Sequence, residues 1–244
     1  MPKDLSVSST IWTPHAVSTN SRVQSARLWR AVEAQHEAST RRLVDSAAEQ
    51  QLLEEILEAT KPPVPDDAQQ LHYLLSTPFR YPPREGGSRF RGHGDPGVFY
   101  GAEERRTACA ELGFWRWRFL IDSAGLTALG PAPQTLFQAA VKTRAIDLAE
   151  IPFSRHAKLW QARDDYHETQ RLGRLAREAG VGLVRYQSVR DPQKGRCGAV
   201  LSPDAFSATK PMAPVETWFL TIMRNCVTWQ RDGASFEFEM LARN

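Results

Sequence analysis

The chain has 244 residues, 41% hydrophobic and 24% charged, which gives enough material for one large globular domain or a domain with an extension. Its 31 Lys+Arg against 28 Asp+Glu leave a net charge of only +3, too weak and dispersed for a general nucleic-acid binder. Arginine supplies most of the positive charge, which suits local recognition of phosphate or carboxylate.

The N-terminus, MPKDLSVSSTIWTPHAV, has no apolar signal-peptide core, and the most hydrophobic window, FWRWRFLI, is short and interrupted by arginines; the expected location is the cytoplasm. Cys109, Cys197 and Cys226 are far apart and show neither a CxxC pair nor metal spacing, so they read as small buried residues in a reducing compartment. A proline cluster at Lys61-Pro62-Pro63-Val64-Pro65 divides the chain, giving an N-terminal helical extension over 1–65 and a main domain over 66–244. Two helices are expected upstream. Leu28, Trp29 and Val32 form the stripe of the first; Leu43, Val44, Ala47, Leu52, Leu53, Ile56 and Leu57 form that of the second, available to the main body or to a second copy of the chain.

Downstream, helices are expected over Ala68 to Leu75, Glu103 to Leu120 and Asp164 to Ala179, the last closed by Gly180. Strands are expected over Phe137 to Leu148, Gly182 to Tyr186, Gly198 to Leu201, Thr217 to Trp229 and Ser235 to Met240, with Asp232-Gly233 turning the last hairpin. The result is an α+β domain without βαβ repetition.

The densest chemistry lies between Pro78 and Glu111, in PFRYPPREGGSRFRGHGDPGVFYGAEERRTACAE. Arginines, glycines and a tyrosine precede a helix bearing one isolated acid, a combination suited to a phosphorylated aromatic ligand. A connecting surface loop is the plain alternative. Val98-Phe99-Tyr100 reads as a strand end, and Glu103 as an acid in the first helical turn. Glu111 sits among Ala108, Cys109, Leu112, Trp115 and Phe119, where a carboxylate must reach a cleft, be protonated, or pair with Arg105 or Arg118. Ser188 ends a later strand in GLVRYQSVRDPQKGRCG, where a turn hydroxyl is the ordinary role. There is no GxGxxG opening a helix after a strand, no GxxxxGK[ST], no HExxH and no GxSxG, and the six histidines lack metal spacing. No metal is expected.

Together these segments resemble the RES-domain family, from about Leu71 to the C-terminus. GSRFR…G…PGVFYGAEERRTACAE is similar to the family's GRWN…G…vlYta…A..E, with Phe90-Arg91 where the family has Trp-Asn. GLVRYQSVRDPQKGRCGAVLSP is similar to its GL.YpSvR…G.c.alf, and Ile146-Asp147-Leu148 to its lDL strand end. The resemblance implies an ADP-ribosyltransferase-like fold and the namesake catalytic residues Arg89, Glu111 and Ser188. It also implies Tyr100 and the pair Arg80-Tyr81 at the pocket, holding NAD with Arg89, Glu111 and Ser188. The implied activity is cleavage of NAD, by phosphorolysis with inorganic phosphate as co-substrate or by hydrolysis. The implied role is a toxin restrained by a helix-turn-helix, Xre-type antitoxin. For the acceptor, Arg84, Arg91 and His93 stay open. ADP-ribosyl transfer to a macromolecule, or a non-catalytic arginine-rich binding loop, are the competing functions.

Overall fold

The computed structural model describes residues 12–34, 44–83 and 85–240. After a short helix, α1 (Pro14–Thr19), the chain enters a long strand, β1 (Arg22–Glu33). Helix α2 (Ala47–Ala59) follows, then α3 (Tyr73–Arg80) and a loop leading to β2 (Phe99–Ala102). The remaining elements are α4 (Arg105–Asp122), β3 (Ala128–Asp147), α5 (Ala157–Trp160), α6 (His167–Glu178), β4 (Leu183–Gln187), β5 (Arg196–Val200), β6 (Met212–Met223), β7 (Cys226–Arg231) and β8 (Ala234–Glu239).

The strands form one sheet in the order β1-β2-β5-β4-β3-β6-β7-β8, and β1 also pairs with β3. That extra pairing closes β1, β2, β5, β4 and β3 into a ring, leaving β6 to β8 as a flap. The ring is packed by Leu28, Phe99, Phe137, Leu183 and Val200, together with Leu75 and Phe79 of α3. Alternation along the strands sends the neighbouring residues outward. Trp29, Ile146, Val184, Tyr186, Cys197 and Ala199 form a second core with Phe90, Trp160, Leu172 and Ala176. A third core joins α4 to the flap through Cys109, Trp117, Leu220, Val227 and Trp229. Gly113 makes this approach possible, since a Cβ there would meet Val227 Cγ1 at 2.8 Å.

The first expected helix is instead β1, so residues 1–65 are not a purely helical extension. Twelve residues pair in register with β3, from Arg22 opposite Ala145 to Glu33 opposite Gln134, and Trp29 also pairs with Ala102 of β2. Leu28, Trp29 and Val32 would share one helical stripe, but they equally fit a strand buried on both faces, and the partner that decides lies about a hundred residues away in sequence. The second expected helix is present as α2, capped by reciprocal bonds between Ser46 and Glu49. None of its side chains is buried; Leu52 and Ile56 remain exposed. Leu43 of the expected stripe lies outside the described residues, and Leu52 and Ile56 do not pack on the described body.

The helix expected from Ala68 begins at Tyr73, after a single 3₁₀ turn. The long strand expected from Thr217 to Trp229 is two strands turning at Arg224-Asn225. Asp232 and Gly233 both take positive φ, 45° and 81°, as the hairpin turn requires. Gly180, at φ 67°, follows the end of α6. All three cysteines are free; Cys109 and Cys197 are buried and Cys226 partly so. No helix of the described residues is long and apolar enough to cross a membrane.

Candidate active site

Tyr100, Tyr186 and Cys197 project toward the same outer face of the ring, in the register that pairs Tyr100 with Ala199 and Tyr186 with Cys197, and Ser188 is the first residue after β4. Helix α4 crosses this face and brings Glu111 to it.

Ser188 Oγ donates to Glu111 Oε1 at 2.5 Å. Ser188 Oγ in turn accepts the backbone N–H groups of Arg190 (3.1 Å) and Asp191 (2.9 Å). With both lone pairs engaged, the hydroxyl proton has one direction left, toward the carboxylate. The turn carrying Ser188 is fixed in turn: Ser188 N–H donates to Gly195 O at 2.8 Å, and Asp191 accepts from Thr107 Oγ1 at 2.8 Å and from the Arg106 guanidinium. Burial would raise the Asp191 carboxyl, but Thr107, the Gln193 N–H and Arg106 together hold it below the usual carboxylate range.

Glu111 is partly buried, with Ser188 Oγ and Cys197 Sγ against its Oε1. Burial pushes its pKa above the usual range, against the Ser188 hydrogen bond and the positive charges of Arg89 and Arg190; Asp191 adds to the rise. Buried Tyr186 and Cys197 are both pushed well above their ordinary values, first by burial, with the Glu111 charge adding to it. Both remain neutral, and Cys197 Sγ lies 3.9 Å from Glu111 Oε1. Neither Arg105 nor Arg118 pairs with Glu111: they bind Glu216 and Asp122. Trp115 and Phe119, expected to surround the acid, are exposed, and the desolvating groups come from β4 and β5 instead. Glu103 does not lie in the first turn, which contains no acid, and pairs with Arg185.

Arg89 is buried, and one guanidinium nitrogen donates to Trp160 O and Ala162 O, both at 2.9 Å. Its plane lies over Tyr166, 4.9 Å from the ring centroid. Tyr100 hydroxyl accepts Phe90 N–H at 2.9 Å and bonds Ser88 Oγ at 2.8 Å, so it pins the backbone on either side of Arg89. Arg190, with a side chain 2% exposed, donates to Arg163 O (2.5 Å) and pairs with Asp164 (3.2 Å) while lying 3.8 Å over the Phe114 ring. Arg190 and Tyr166 were not singled out from sequence. The signal for Arg190 was its place two residues after Ser188; Tyr166 offered none.

The structure thus brings Arg89, Tyr100, Glu111 and Ser188 to one face and leaves Arg80 and Tyr81 elsewhere. Arg80 binds Pro62 O at 2.5 Å and Glu58 at 2.7 Å, tying α3 to the end of α2. With Tyr81 it lines a separate cavity that includes Gly182, at the start of β4. Ser188 lies past the other end of that strand, six residues or about 20 Å of extended chain away. Arg91 belongs to this cavity too, donating to Asp95 O and Tyr81 O; His93 is exposed, and Arg84 lies outside the described residues.

The RES domain family model matches residues 64–222. The chain belongs to the RES domain family. A search of curated proteins finds no match. Among solved structures, the M. tuberculosis MbcT–MbcA toxin-antitoxin complex contains a chain similar at 12% identity and a TM-score of 0.47, over 93% of this chain and 91% of that one. The fold is the mixed helix-and-sheet arrangement of an α+β RES domain.

Proposed function

We propose that this RES protein cleaves the bond between nicotinamide and ribose in NAD. The observation that carries the reading is the partly buried Glu111 carboxylate, held by Ser188 and flanked by the Arg89 and Arg190 charges. Nicotinamide in NAD is already a cationic leaving group and needs no general acid. What needs stabilising is the positive charge that grows on the sugar as the bond breaks. An ionised Glu111 supplies a fixed negative charge in a desolvated place, where it acts more strongly than in water. Arg89 and Arg190 provide cations for the diphosphate, both already oriented by carbonyl bonds and ring contacts.

Ser188 acts as a positioning residue. Its oxygen is occupied by two backbone donors and its proton points at Glu111, so it is poorly placed to attack carbon. Tyr100 holds the Arg89 loop. The acceptor is phosphate, giving ADP-ribose 1″-phosphate, or water, giving ADP-ribose.

Family membership supports a further role as the toxin of a toxin-antitoxin pair, with a helix-turn-helix antitoxin covering this face. Purified chain incubated with NAD, with and without inorganic phosphate, tests the reaction by product mass. Free nicotinamide with a phosphorylated or unphosphorylated ADP-ribose supports it. Label from NAD appearing on a macromolecule supports ADP-ribosyl transfer instead, and unchanged NAD rules out both.

A further inference from the structure

The cavity at the opposite end of β4 has a volume of about 640 Å³, within the range of small-ligand sites. It is lined by the apolar Phe79, Tyr81, Val181 and Leu201 and by the cations of Arg91 and Arg177. Arg177 is held loosely. Its terminal nitrogens reach Phe90 O at 3.5 Å and Pro96 O at 3.2 Å, and its Nε is buried with no hydrogen-bond partner. The long bonds of the terminal nitrogens leave the guanidinium able to take a stronger, charged acceptor, which an arriving anion would supply. Arg91 and Arg174 crowd the same guanidinium with like charge; burial first, then these neighbours, lowers its pKa despite Asp95 and Tyr100. Asp95 is shared by Arg174 and the backbone of Gly92, which leaves this cluster with more cations than acids.

Two exposed carboxylates, Asp67 and Asp204, also line the cavity. They disfavour a polyanion such as a nucleic-acid strand or an acidic peptide, yet they suit hydroxyl or amino donors on a compact ligand. Inorganic phosphate alone would leave the apolar walls unused.

We propose that this cavity binds a small phosphorylated nucleoside, its phosphate on Arg91 and Arg177, its ring on the Tyr81 and Phe79 wall and its sugar hydroxyls toward Asp204. The site is separate from Glu111 and does not depend on the reaction there.

Titration calorimetry with AMP as the probe, on the Glu111→Gln chain so that turnover plays no part, tests it. Saturable binding is expected, weakened at least about tenfold by Arg177→Ala, the size of a lost charge-assisted bond. Asp204→Ala should weaken AMP about fivefold, the size of one lost hydrogen bond, and leave inorganic phosphate unaffected; Asp204 is exposed and lies on a different segment from Arg177, so this arm decides the matter should Arg177→Ala unfold. AMP binding unchanged in both variants, inorganic phosphate binding as tightly as AMP, or no AMP binding at millimolar concentration would each overturn the proposal. A chain that cleaves NAD yet fails here loses only this second site.

Discussion

Ser188 Oγ stands 2.5 Å from Glu111 Oε1 and is also the acceptor for two consecutive backbone N–H groups. One hydroxyl therefore couples the carboxylate to the turn after β4. Ser188→Ala leaves the Arg190 and Asp191 N–H groups without that acceptor, and the expected loss of stability is about 1–3 kcal/mol. Because the hydrogen bond favours the ionised acid, the Glu111 pKa should also move further up. Denaturant unfolding and the pH profile of nicotinamide release check the two effects separately; an unchanged profile would show that Ser188 does not act on the acid.

Activity should require Glu111 ionised. Its pKa lies above the ordinary carboxylate value of about 4.3, so the acid limb of kcat/KM should lie above that value, with activity rising as pH increases through it. Arg190 opposes the rise, so Arg190→Gln should carry the limb to higher pH. A limb at the ordinary value, or one unmoved in Arg190→Gln, would remove the electrostatic role given to this pair.

The same burial has an opposite consequence for stability. An acid whose pKa is raised on folding contributes stability that is complete below its unfolded value and lost as pH rises through its folded value. Glu111→Gln removes that loss, so its melting temperature relative to wild type should increase from about pH 4 upward and level off above the folded pKa. Asp191 behaves in the reverse sense, with a lowered pKa and stability lost on acidification, but it is common to both proteins and cancels in the difference. A flat difference across this range would mean that Glu111 is not desolvated.

Gly195 faces Thr107 and Asp191 at close quarters: a Cβ would come within 2.0 Å of Thr107 Oγ1 and 2.9 Å of Asp191 Oδ2. Gly195→Ala should therefore displace the pair that supports the Ser188 turn. The expected cost is about 1–3 kcal/mol, typical of overpacking, with a fall in NAD cleavage beyond what stability explains. Wild-type stability and rate would show that the turn adapts freely.

The candidate site was legible in sequence where chemistry is local. Glu111 stood out as one acid on an apolar helix, and Ser188 as a hydroxyl at a strand end beside Arg190. Arg80-Tyr81 was carried with them by resemblance alone, since a local pattern does not say to which end of β4 a loop leads. Strand β1 was hidden for a related reason. Leu28 and Trp29 face opposite cores, so their hydrophobicity has no single stripe to reveal, and the ladder to β3 is set by residues far along the chain. Helix α2 was visible because its period and its Ser46–Glu49 cap are local.

Placing β1 in the ring means the segment after the proline cluster does not contain a complete sheet. A chain starting at Pro62 lacks the strand that pairs with both β2 and β3, and it exposes Phe99 and Phe137, which pack in the same core as Leu28. Such a chain should fail to fold cooperatively, as read by circular dichroism melting and chemical-shift dispersion. A cooperative, soluble product would show that β1 is dispensable.

Nicotinamide release from NAD by the purified chain, compared with its Glu111→Gln counterpart in the presence of inorganic phosphate, addresses the central claim most directly. Wild-type protein should release nicotinamide, and the glutamine variant should do so at least about a hundredfold more slowly, the scale of a lost transition-state charge. Equal rates from the two folded proteins would contradict the assignment of Glu111 as the residue that stabilises the developing sugar cation.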